Sequence, residues 1–588
     1  MNLLRARAPL IALLVAVVVS VPSLWSGIFV DDYFHGIKIE RLSPLLDDDL
    51  FSFATGNPEE TNKLILDGPY PWWTWPNVRF QFFRPLSSWL AKAEHHVFGR
   101  SDVPKHVHSI LWFLALVVVV NQLYRRALEP KGQERAGLWA PATTATSVAM
   151  LLFALDDVHW MPMMWIANRN ALISAVPVLI GVLLHVRSRE DGWAPGRWFA
   201  LPFVAIGLAG GESALGAVSY LLAYEAFAAR DSWVQRAKAL APLAVLGLGY
   251  IVLYKAAHAG AKGSGIYIDP IGEPGAFLLA APGRMLALAG AQLLGSSSDL
   301  WLISVASRPA LVAFGVLAVA LCFWLMKTAV WPQLDDDARR KTRWLVGGMA
   351  LSLVPVSATF PLNRLLLLPS VGGAAIVALI LTHVSWKSGG ARYAAGLLFF
   401  ANVVIAPVMW AGSYYVGGFM ARGQITSALE TPLTDAQLSK RVVIFNVPDP
   451  ALALYPSLVR LWYAKPVSKR WFQFSMAPFP HRLARTAENT VELEVVNGRM
   501  MQTVFEQLLR SETLPLPIGF TSKLNGATVT VIALDDELPS KLRIDFENLS
   551  SDEWTWVQWK DQKFQSLTMP AVGETIDLPL EPGLVPIQ

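Results

Sequence analysis

The stretch Leu10-Ile-Ala-Leu-Leu-Val-Ala-Val-Val-Val-Ser-Val-Pro-Ser-Leu-Trp-Ser-Gly-Ile-Phe-Val30 carries no charged residue, and Asp31 and Asp32 follow it directly. A bilayer core of about 30 Å is crossed by a helix of about 20 apolar residues. The stretch is longer than the apolar region of a secretory signal, and no small-residue cleavage site follows it. We therefore expect an uncleaved membrane helix that ends at a pair of acids.

The rest of the chain has the same apolar character. Of its 588 residues, 53% are hydrophobic and only 16% are charged, and the mean hydropathy is +0.39. A soluble protein of this length needs more charged surface. The net charge of +4 is too small and too scattered to indicate a nucleic-acid partner. The single cysteine, Cys322, excludes a disulfide framework and a Cys-based metal or redox motif. The composition therefore predicts a polytopic α-helical membrane protein.

Eleven apolar stretches are predicted to cross the membrane, at 10–30, 109–123, 137–155, 171–186, 198–211, 213–228, 238–254, 309–326, 345–359, 365–383 and 394–411. A further apolar stretch, 276–296, is interrupted by Pro282 and Arg284. We interpret it as a re-entrant or interfacial helix, with a twelfth span as the alternative.

The distribution of Lys and Arg predicts the orientation of these spans. With the N-terminus in the cytoplasm, the inner loops hold nineteen Lys and Arg residues, and the outer connections after the first loop hold six. The first loop, 31–108, and the chain from about 413 onward then lie on the extracytoplasmic side. The high usage of Ala, Arg and Trp, with no organelle-targeting pattern, favours a bacterial inner membrane.

The C-terminal part has the pattern of a soluble domain. Segments such as 490–496, 527–534 and 541–546 have the β-branched, alternating pattern of strands, and a helix is expected near 500–510. We predict a transmembrane domain over 1–412 and a β-rich extracytoplasmic domain over 413–588. One predicted strand carries Trp554, Trp556 and Trp559; core packing is the expected role of these rings, and a sugar-stacking face is the alternative.

Carboxylates cluster at the outer ends of the predicted helices rather than deep within them. Asp31 and Asp32 follow the first span, Asp156 and Asp157 follow the third, and Glu212 lies between two short apolar stretches. Alternating topology brings all five to one membrane surface. For any one of them alone, a charge in the headgroup layer is the simpler interpretation. A transporter or flippase would instead place ionisable residues near the bilayer midplane and show repeats between its halves, and neither is visible.

The first outer loop adds aromatic, basic and histidine side chains. Its tryptophans suit either interfacial anchoring or stacking against a sugar. The histidines His95, His96, His106 and His108 have no tight metal-ligand spacing, so interfacial roles are favoured over a metal site. The residues concerned are Trp72, Trp73, Trp75, Arg79, Arg84, His95, His96, His106 and His108.

A series of short motifs follows in a fixed order over residues 1–385: Asp31-Asp32, Phe83-Arg84-Pro85-Leu86, Pro104-Lys105-His106, Leu152-Phe-Ala-Leu-Asp156-Asp157-Val-His-Trp160, Trp165-Ile-Ala-Asn-Arg169, Gly211-Glu212, Pro355-Val356, Asn363-Arg364 and Leu368-Pro-Ser-Val-Gly372. This order resembles that of the GT-C membrane glycosyltransferases, in particular the protein O-mannosyltransferase-like and transmembrane-TPR O-mannosyltransferase-like branch.

The resemblance implies a GT-C-like fold and an enzyme that transfers a sugar, with inversion, from a polyprenyl-phosphate donor on the extracytoplasmic face. The acceptor is a glycan, a lipid or a protein in the cell envelope. Asp31 or Asp32 would be the catalytic base. Guanidinium groups match phosphate oxygens, so the donor phosphate would lie against Arg84, Arg364 or Arg169. Acceptor positioning would fall to Asp156, Asp157, Glu212 and His106. No cofactor is assigned; if a divalent cation such as Mg²⁺ or Mn²⁺ binds, Asp31, Asp32 and Asp156 are its expected ligands.

The sequence also departs from that branch. Asp156-Asp157 stands where relatives often carry His-Pro, Gly211-Glu212 stands where they carry Lys-Glu, and a β domain replaces their TPR array. An O-antigen ligase or polymerase is the first alternative, although its large outer loop typically comes late in the chain. A flippase, and a scaffold acting through its β domain, are the others. Truncation near residue 420 would distinguish these classes, because a scaffold would lose its whole function and an enzyme would keep some activity.

Overall fold

The computed structural model describes residues 2–584 apart from 131, 134–136, 138 and 388. Its helices are α1 Asn2–Ser20, α2 Asp31–Ile39, α3 Pro58–Asp67, α4 Pro85–Phe98, α5 Val103–Leu128, α6 Thr144–Leu155, α7 Trp160–Met164, α8 Asn170–Asp191, α9 Pro195–Gly210, α10 Ala214–Ala223, α11 Trp233–Ala256, α12 Pro274–Leu294, α13 Leu300–Ile303, α14 Arg308–Leu325, α15 Asp336–Val356, α16 Pro369–His383, α17 Ala391–Phe399, α18 Ala406–Leu429, α19 Asp435–Leu438, α20 Pro450–Leu454 and α21 Pro456–Trp462.

The strands are concentrated in the C-terminal third. They are β1 Ser52–Thr55, β2 Arg79–Gln81, β3 Gly260–Lys262, β4 Arg441–Ile444, β5 Arg470–Gln473, β6 His481–Ala487, β7 Thr490–Val495, β8 Thr521–Leu524, β9 Ala527–Asp535, β10 Leu538–Phe546, β11 Trp554–Lys560, β12 Lys563–Ser566 and β13 Thr575–Leu578.

The helices carry the predicted membrane character. Seven helical segments within the described residues are long and apolar enough to cross a membrane, and three more are apolar but shorter. The long ones are Arg5–Trp25, Val103–Leu128, Ile166–Asp191, Trp233–Ala256, Pro274–Leu294, Val305–Gln333 and Ala391–Leu429. The short ones, Thr144–Leu155, Ala214–Ala228 and Pro369–His383, coincide with predicted spans. With the strand-rich C-terminal part, this confirms the predicted fold class.

The direction of α12 bears on the number of spans. Gly283 lies against Val312, while Leu286 and Gly290 both lie against Gly315, so α12 and α14 run in the same direction. Helices that cross a membrane in succession run in opposite directions, because each crossing changes sides. Because α12 is also long and apolar enough to cross a membrane, the number of spans stays a prediction.

The chain forms two compact units. The first unit comprises residues 1–27, 82–257 and 273–417, and the second comprises 28–81, 258–272 and 418–588. The predicted division into 1–412 and 413–588 stays a prediction, and the two units do not follow the chain order it assumed. Residues 28–81, which include most of the first outer loop, cluster with the C-terminal residues.

Three sheets build the second unit. A six-stranded antiparallel sheet has the order β13-β6-β7-β10-β9-β8, and a four-stranded sheet has the order β12-β11-β4-β5, in which β4 pairs in parallel with β5 and β11. A small antiparallel sheet joins β1, β2 and β3. The expected helix near 500–510 is wrong: the described residues form turns, in which Thr503 and Glu506 each accept a hydrogen bond from the other's backbone N–H.

Tryptophans of the first loop belong to the core of this unit. Trp72 and Trp73 are each 2% exposed, and their indole N–H groups donate to the carbonyl oxygens of Phe474 at 2.9 Å and Glu506 at 3.1 Å. Their surfaces are therefore used in packing rather than presented to a sugar. Core packing is likewise confirmed for Trp554 and Trp559, which are both buried.

Candidate active site

The acidic pair Asp31 and Asp32 opens α2 in the second unit. Its first turn carries both carboxylates, which suits the positive end of a helix dipole. The carboxylate of Asp32 accepts the backbone N–H of Phe29 at 3.2 Å, and the hydroxyl of Tyr455 donates to Oδ1 of Asp31 at 2.6 Å. Both acids thus have defined partners within one unit.

The residue before the pair has a strained backbone. Val30 has φ 53° and ψ −119°, a region that β-branched residues rarely occupy. Its N–H donates to Oε1 of Gln424 at 2.9 Å, and Gln424 is only 2% exposed. Strain of this kind persists only where surrounding structure enforces it, and it concentrates at functional sites. The observation favours a functional role for the acids that follow.

Helix α2 is docked tightly on α21. The ring of Tyr33 meets Trp462 edge-on at 6.5 Å between centroids, and Gly36 faces the same indole so closely that a Cβ there would lie 2.4 Å from it. At the other end of α2, Nζ of Lys38 donates to Asp47 Oδ1 at 2.6 Å, and burial lowers the pKa of Lys38. The position of the acidic pair is therefore set by packing along the whole helix.

In the first unit, Arg84 and Glu212 bind each other. Nε of Arg84 lies 2.9 Å from Oε2 of Glu212, whose Oε1 accepts the backbone N–H of Phe83 at 3.1 Å. Gly211 has φ 156° and ψ 168°, a conformation almost confined to glycine, and it turns the chain so that Glu212 faces Arg84. A predicted phosphate ligand and a predicted acceptor ligand thus form one ion pair.

Arg169 lies in the interior of the same unit. It is 2% exposed, and its guanidinium donates to both oxygens of Glu94 and, at 2.7 Å, to the carbonyl oxygen of Lys105. His108 Nδ1 lies 2.9 Å from Oε1 of Glu94. Burial opposes ionisation of Glu94, but the contacts with His108 and Arg169 hold its pKa below the usual range. Arg169 is therefore committed to an internal ion pair.

His106 is also internal. Its side chain is fully buried, and Nε2 lies 3.0 Å from the carbonyl oxygen of Gly27. This contact joins α5 to the end of the first span. The placement suits a packing role, and the role in acceptor positioning stays a prediction.

Asp156 and Asp157 lie in the turn between α6 and α7. Asp156 contacts the end of α12, and Asp157 contacts the turn before α16. Asp156 Oδ2 accepts a hydrogen bond from Nε2 of Gln292 at 2.8 Å, and Asp157 Oδ2 accepts one from Nδ2 of Asn363 at 3.4 Å. Asn363 is fixed in turn, because its Oδ1 accepts both the N–H and the hydroxyl of Ser298, at 2.9 and 2.8 Å. Burial raises the pKa of both aspartates, and their mutual repulsion raises that of Asp157 further.

Arg364 follows Asn363 in this cluster and stacks on Trp165, with 5.2 Å from its guanidinium carbon to the ring centroid. It forms no hydrogen bond or ion pair with the part of the chain that the structure describes, and its Nε is buried without a partner there. Of the three predicted phosphate ligands, Arg364 is thus the one that forms no ion pair with a described carboxylate, although the buried carboxylate of Asp299 acts on it electrostatically.

No family model matches this chain, and no curated protein matches it. Similar solved structures include the oligosaccharyltransferase AglB from Archaeoglobus fulgidus in complex with an inhibitory peptide and a dolichol-phosphate, at 11% identity and a TM-score of 0.43. That match covers 79% of this chain, which spans 64% of the archaeal chain. ArnT from Cupriavidus metallidurans bound to undecaprenyl phosphate has 12% identity and a TM-score of 0.36, covering 78% of this chain and 85% of ArnT.

At these identities and TM-scores the neighbours carry no argument about this chain's family, and the GT-C resemblance rests on the motif order given above. The O-mannosyltransferase branch stays a prediction. Because these TM-scores are low, we base the proposed function on this chain's own residues.

The candidate site residues differ in what they can do chemically. The pair Asp31 and Asp32 offers carboxylates for proton transfer, and Arg364 offers a cation for an anionic group. No set of three or more His, Cys, Asp or Glu side chains in the described part of the chain is grouped to bind a metal ion. Sequence reasoning missed Tyr455, Gln424 and Gln292, because no local pattern marks a single polar residue as a partner of a distant carboxylate.

Proposed function

We propose that this protein is an integral-membrane glycosyltransferase that moves a hexosyl or pentosyl group from a polyprenyl-phosphate donor to an acceptor hydroxyl on the extracytoplasmic face. The observation that carries the proposal is the acidic pair at the start of α2, held by Tyr455 and preceded by strained backbone at Val30. The motif order over residues 1–385 supplies the reaction class. The acceptor is a glycan, a lipid or a protein.

The reaction requires a base, and the acidic pair provides one. The acceptor oxygen attacks C1 from the face opposite the phosphate, the bond from C1 to the phosphate oxygen breaks, and its electron pair leaves with the lipid phosphate. The acceptor proton passes to a carboxylate of the pair, which must be held within hydrogen-bonding distance of that hydroxyl. The configuration at C1 is inverted. We assign the base to Asp31 or Asp32.

The departing phosphate requires a cation, and we assign that role to Arg364. Its guanidinium lies on Trp165 and forms no ion pair within the described residues. A planar guanidinium can donate two parallel hydrogen bonds to a phosphate. Negative charge accumulates on the leaving group in the transition state, so a fixed cation there lowers the barrier.

The test uses the full chain in nanodiscs with a panel of radiolabelled polyprenyl-phosphate sugars and membrane-derived acceptors, with and without EDTA. Wild type is compared with Asp31→Asn, Asp32→Asn and a matched control, Asp48→Asn, whose carboxylate is exposed and pairs with Arg41. We expect donor-dependent transfer or hydrolysis that one change in the acidic pair abolishes and the control change leaves intact.

Label transfer that survives both changes would remove the acidic pair as the base. A folded protein that turns over no donor would move the assignment to the ligase, flippase or scaffold alternatives. Loss of activity in EDTA that added Mg²⁺ or Mn²⁺ restores would establish a metal requirement.

A further inference from the structure

We infer that Tyr455 and Gln424, both from the C-terminal third of the chain, are positioning residues for the acidic pair, so that this third is a working part of the catalytic site. The inference rests on the proposed function. Tyr455 acts on the Asp31 carboxylate, and Gln424 acts on the backbone turn at Val30 from which the pair begins.

The contact between Tyr455 and Asp31 joins residues 424 positions apart in the sequence. Tyr455 lies between α20 and α21, and α21 is the helix on which α2 packs through Tyr33 and Trp462. Docking of α2 and orientation of its first carboxylate therefore come from one structural element. A carboxylate with one oxygen held by a donor has a fixed plane, and its second oxygen then has a fixed direction.

The tyrosine hydroxyl acts as the donor in this contact. Burial and the nearby charge of Asp31 raise the pKa of Tyr455 well above its usual value, so the hydroxyl keeps its proton. A hydrogen bond to an ionised group is worth more than one between neutral groups. Catalysis depends on orientation, since small displacements of a reacting group cost large factors in rate.

The contact between Gln424 and Val30 controls the start of α2. The N–H of Val30 precedes the helix and points at Oε1 of Gln424, 2.9 Å away. A β-branched residue at positive φ returns to an ordinary conformation unless something holds it. Because Asp31 is the next residue, relaxation at Val30 would redirect the first turn of α2.

A plain structural contact would predict a different outcome from a positioning role. If Tyr455 and Gln424 only helped the unit to fold, their loss would lower the amount of folded protein and leave the turnover number of the remaining enzyme unchanged. If they position the base, the folded variant has a lower kcat while the KM for the donor changes little, because donor binding does not use these two side chains.

The experiment compares Tyr455→Phe and Gln424→Met with wild type in nanodiscs, using the donor that wild type turns over. The matched control is Tyr463→Phe, because Tyr463 is a 41% exposed tyrosine at the end of the same helix. Thermal melts report the folded fraction of each sample. We expect kcat to fall about 10- to 100-fold in Tyr455→Phe, with the donor KM within about threefold of wild type. The kcat of Gln424→Met should also fall, and the kcat of Tyr463→Phe should equal that of wild type.

Wild-type kcat in both Tyr455→Phe and Gln424→Met, corrected for folded protein, would overturn the inference while the proposed function stands. If Tyr455→Phe fails to fold, the Gln424→Met result decides alone. If wild type turns over no donor, both the proposed function and the inference are overturned. The wild-type assay shows this before any variant is measured.

Discussion

Replacing Gly36 by alanine tests whether the position of α2 controls activity. An added Cβ would lie 2.4 Å from Cζ3 of Trp462 and 2.8 Å from Cη2, whereas ordinary van der Waals contact begins near 3.4 Å. The indole is 5% exposed and belongs to a packed cluster, so it has little room to withdraw. The methyl group must therefore displace α2 from α21 by about 1 Å.

The expected cost in stability is small, and the expected cost in rate is large. Alanine improves the intrinsic helix propensity by about 1 kcal/mol over glycine. Overpacking of a filled core costs about 1–3 kcal/mol, so the net loss is at most about 2 kcal/mol. A displacement of about 1 Å at a reacting group, in contrast, costs on the order of 100-fold in rate. Asp31 and Asp32 lie on the same short helix and move with it.

The assay is the nanodisc transfer reaction, with a thermal melt of each sample. Gly247→Ala in α11 is the matched control, because no described atom outside its own helical turns lies within 4 Å of a Cβ added there, and only helix propensity changes. We expect Gly36→Ala to lose about 100-fold in kcat with a modest drop in melting temperature, while Gly247→Ala keeps wild-type kcat. A folded Gly36→Ala protein with wild-type kcat would refute the link between the packing of α2 and catalysis.

Three further predictions concern the first unit. Arg364→Gln should lower kcat/KM for the donor about 10- to 100-fold with little change in melting temperature, since its guanidinium bonds no described residue; an unchanged kcat/KM would remove it as the phosphate ligand. Arg169→Met leaves the buried carboxylate of Glu94 without its cation and should destabilise the protein by about 3–5 kcal/mol, and adding Glu94→Gln should recover part of that loss. The pKa of Asp157 is higher in the folded state than in the unfolded state, so the folded state keeps a proton that the unfolded state releases. The melting temperature should therefore fall as pH rises from about 4 towards neutral. Asp157→Asn should flatten this slope, and an unchanged slope would show that Asp157 does not cause it.

The membrane helices were predictable because their signal is local. Hydropathy over about 20 residues is enough to mark Val103–Leu128 or Trp233–Ala256, whatever they pack against. The β-rich C-terminal part was predictable for the same reason, since alternation within a strand is visible in the sequence itself. Short apolar helices such as Thr144–Leu155 also appear at predicted positions, although they are too short to span by length alone.

The partners of the site residues were not predictable, because they are distant in the chain. Glu94 binds Arg169 from 75 positions away, and Trp72 donates to Phe474 from 402 positions away. No periodicity or motif connects such residues. The sequence therefore indicates which ends of helices carry charge, but it does not distinguish a charge that is neutralised inside the protein from one that is available to a ligand.

That distinction separates three arginines which the sequence treats alike. Arg84 lies 2.9 Å from Glu212, and Arg169 is held by Glu94, so each already has a carboxylate beside it. A phosphate that approached either would have to displace that carboxylate or accept its repulsion. Arg364, stacked on Trp165, forms no ion pair within the described residues, although the nearby carboxylate of Asp299 acts on it electrostatically, so its guanidinium can donate to an anion without displacing a bonded carboxylate. The hydrogen-bonding capacity left at the guanidinium, rather than its place in a motif, is therefore the reason to assign the leaving phosphate to Arg364.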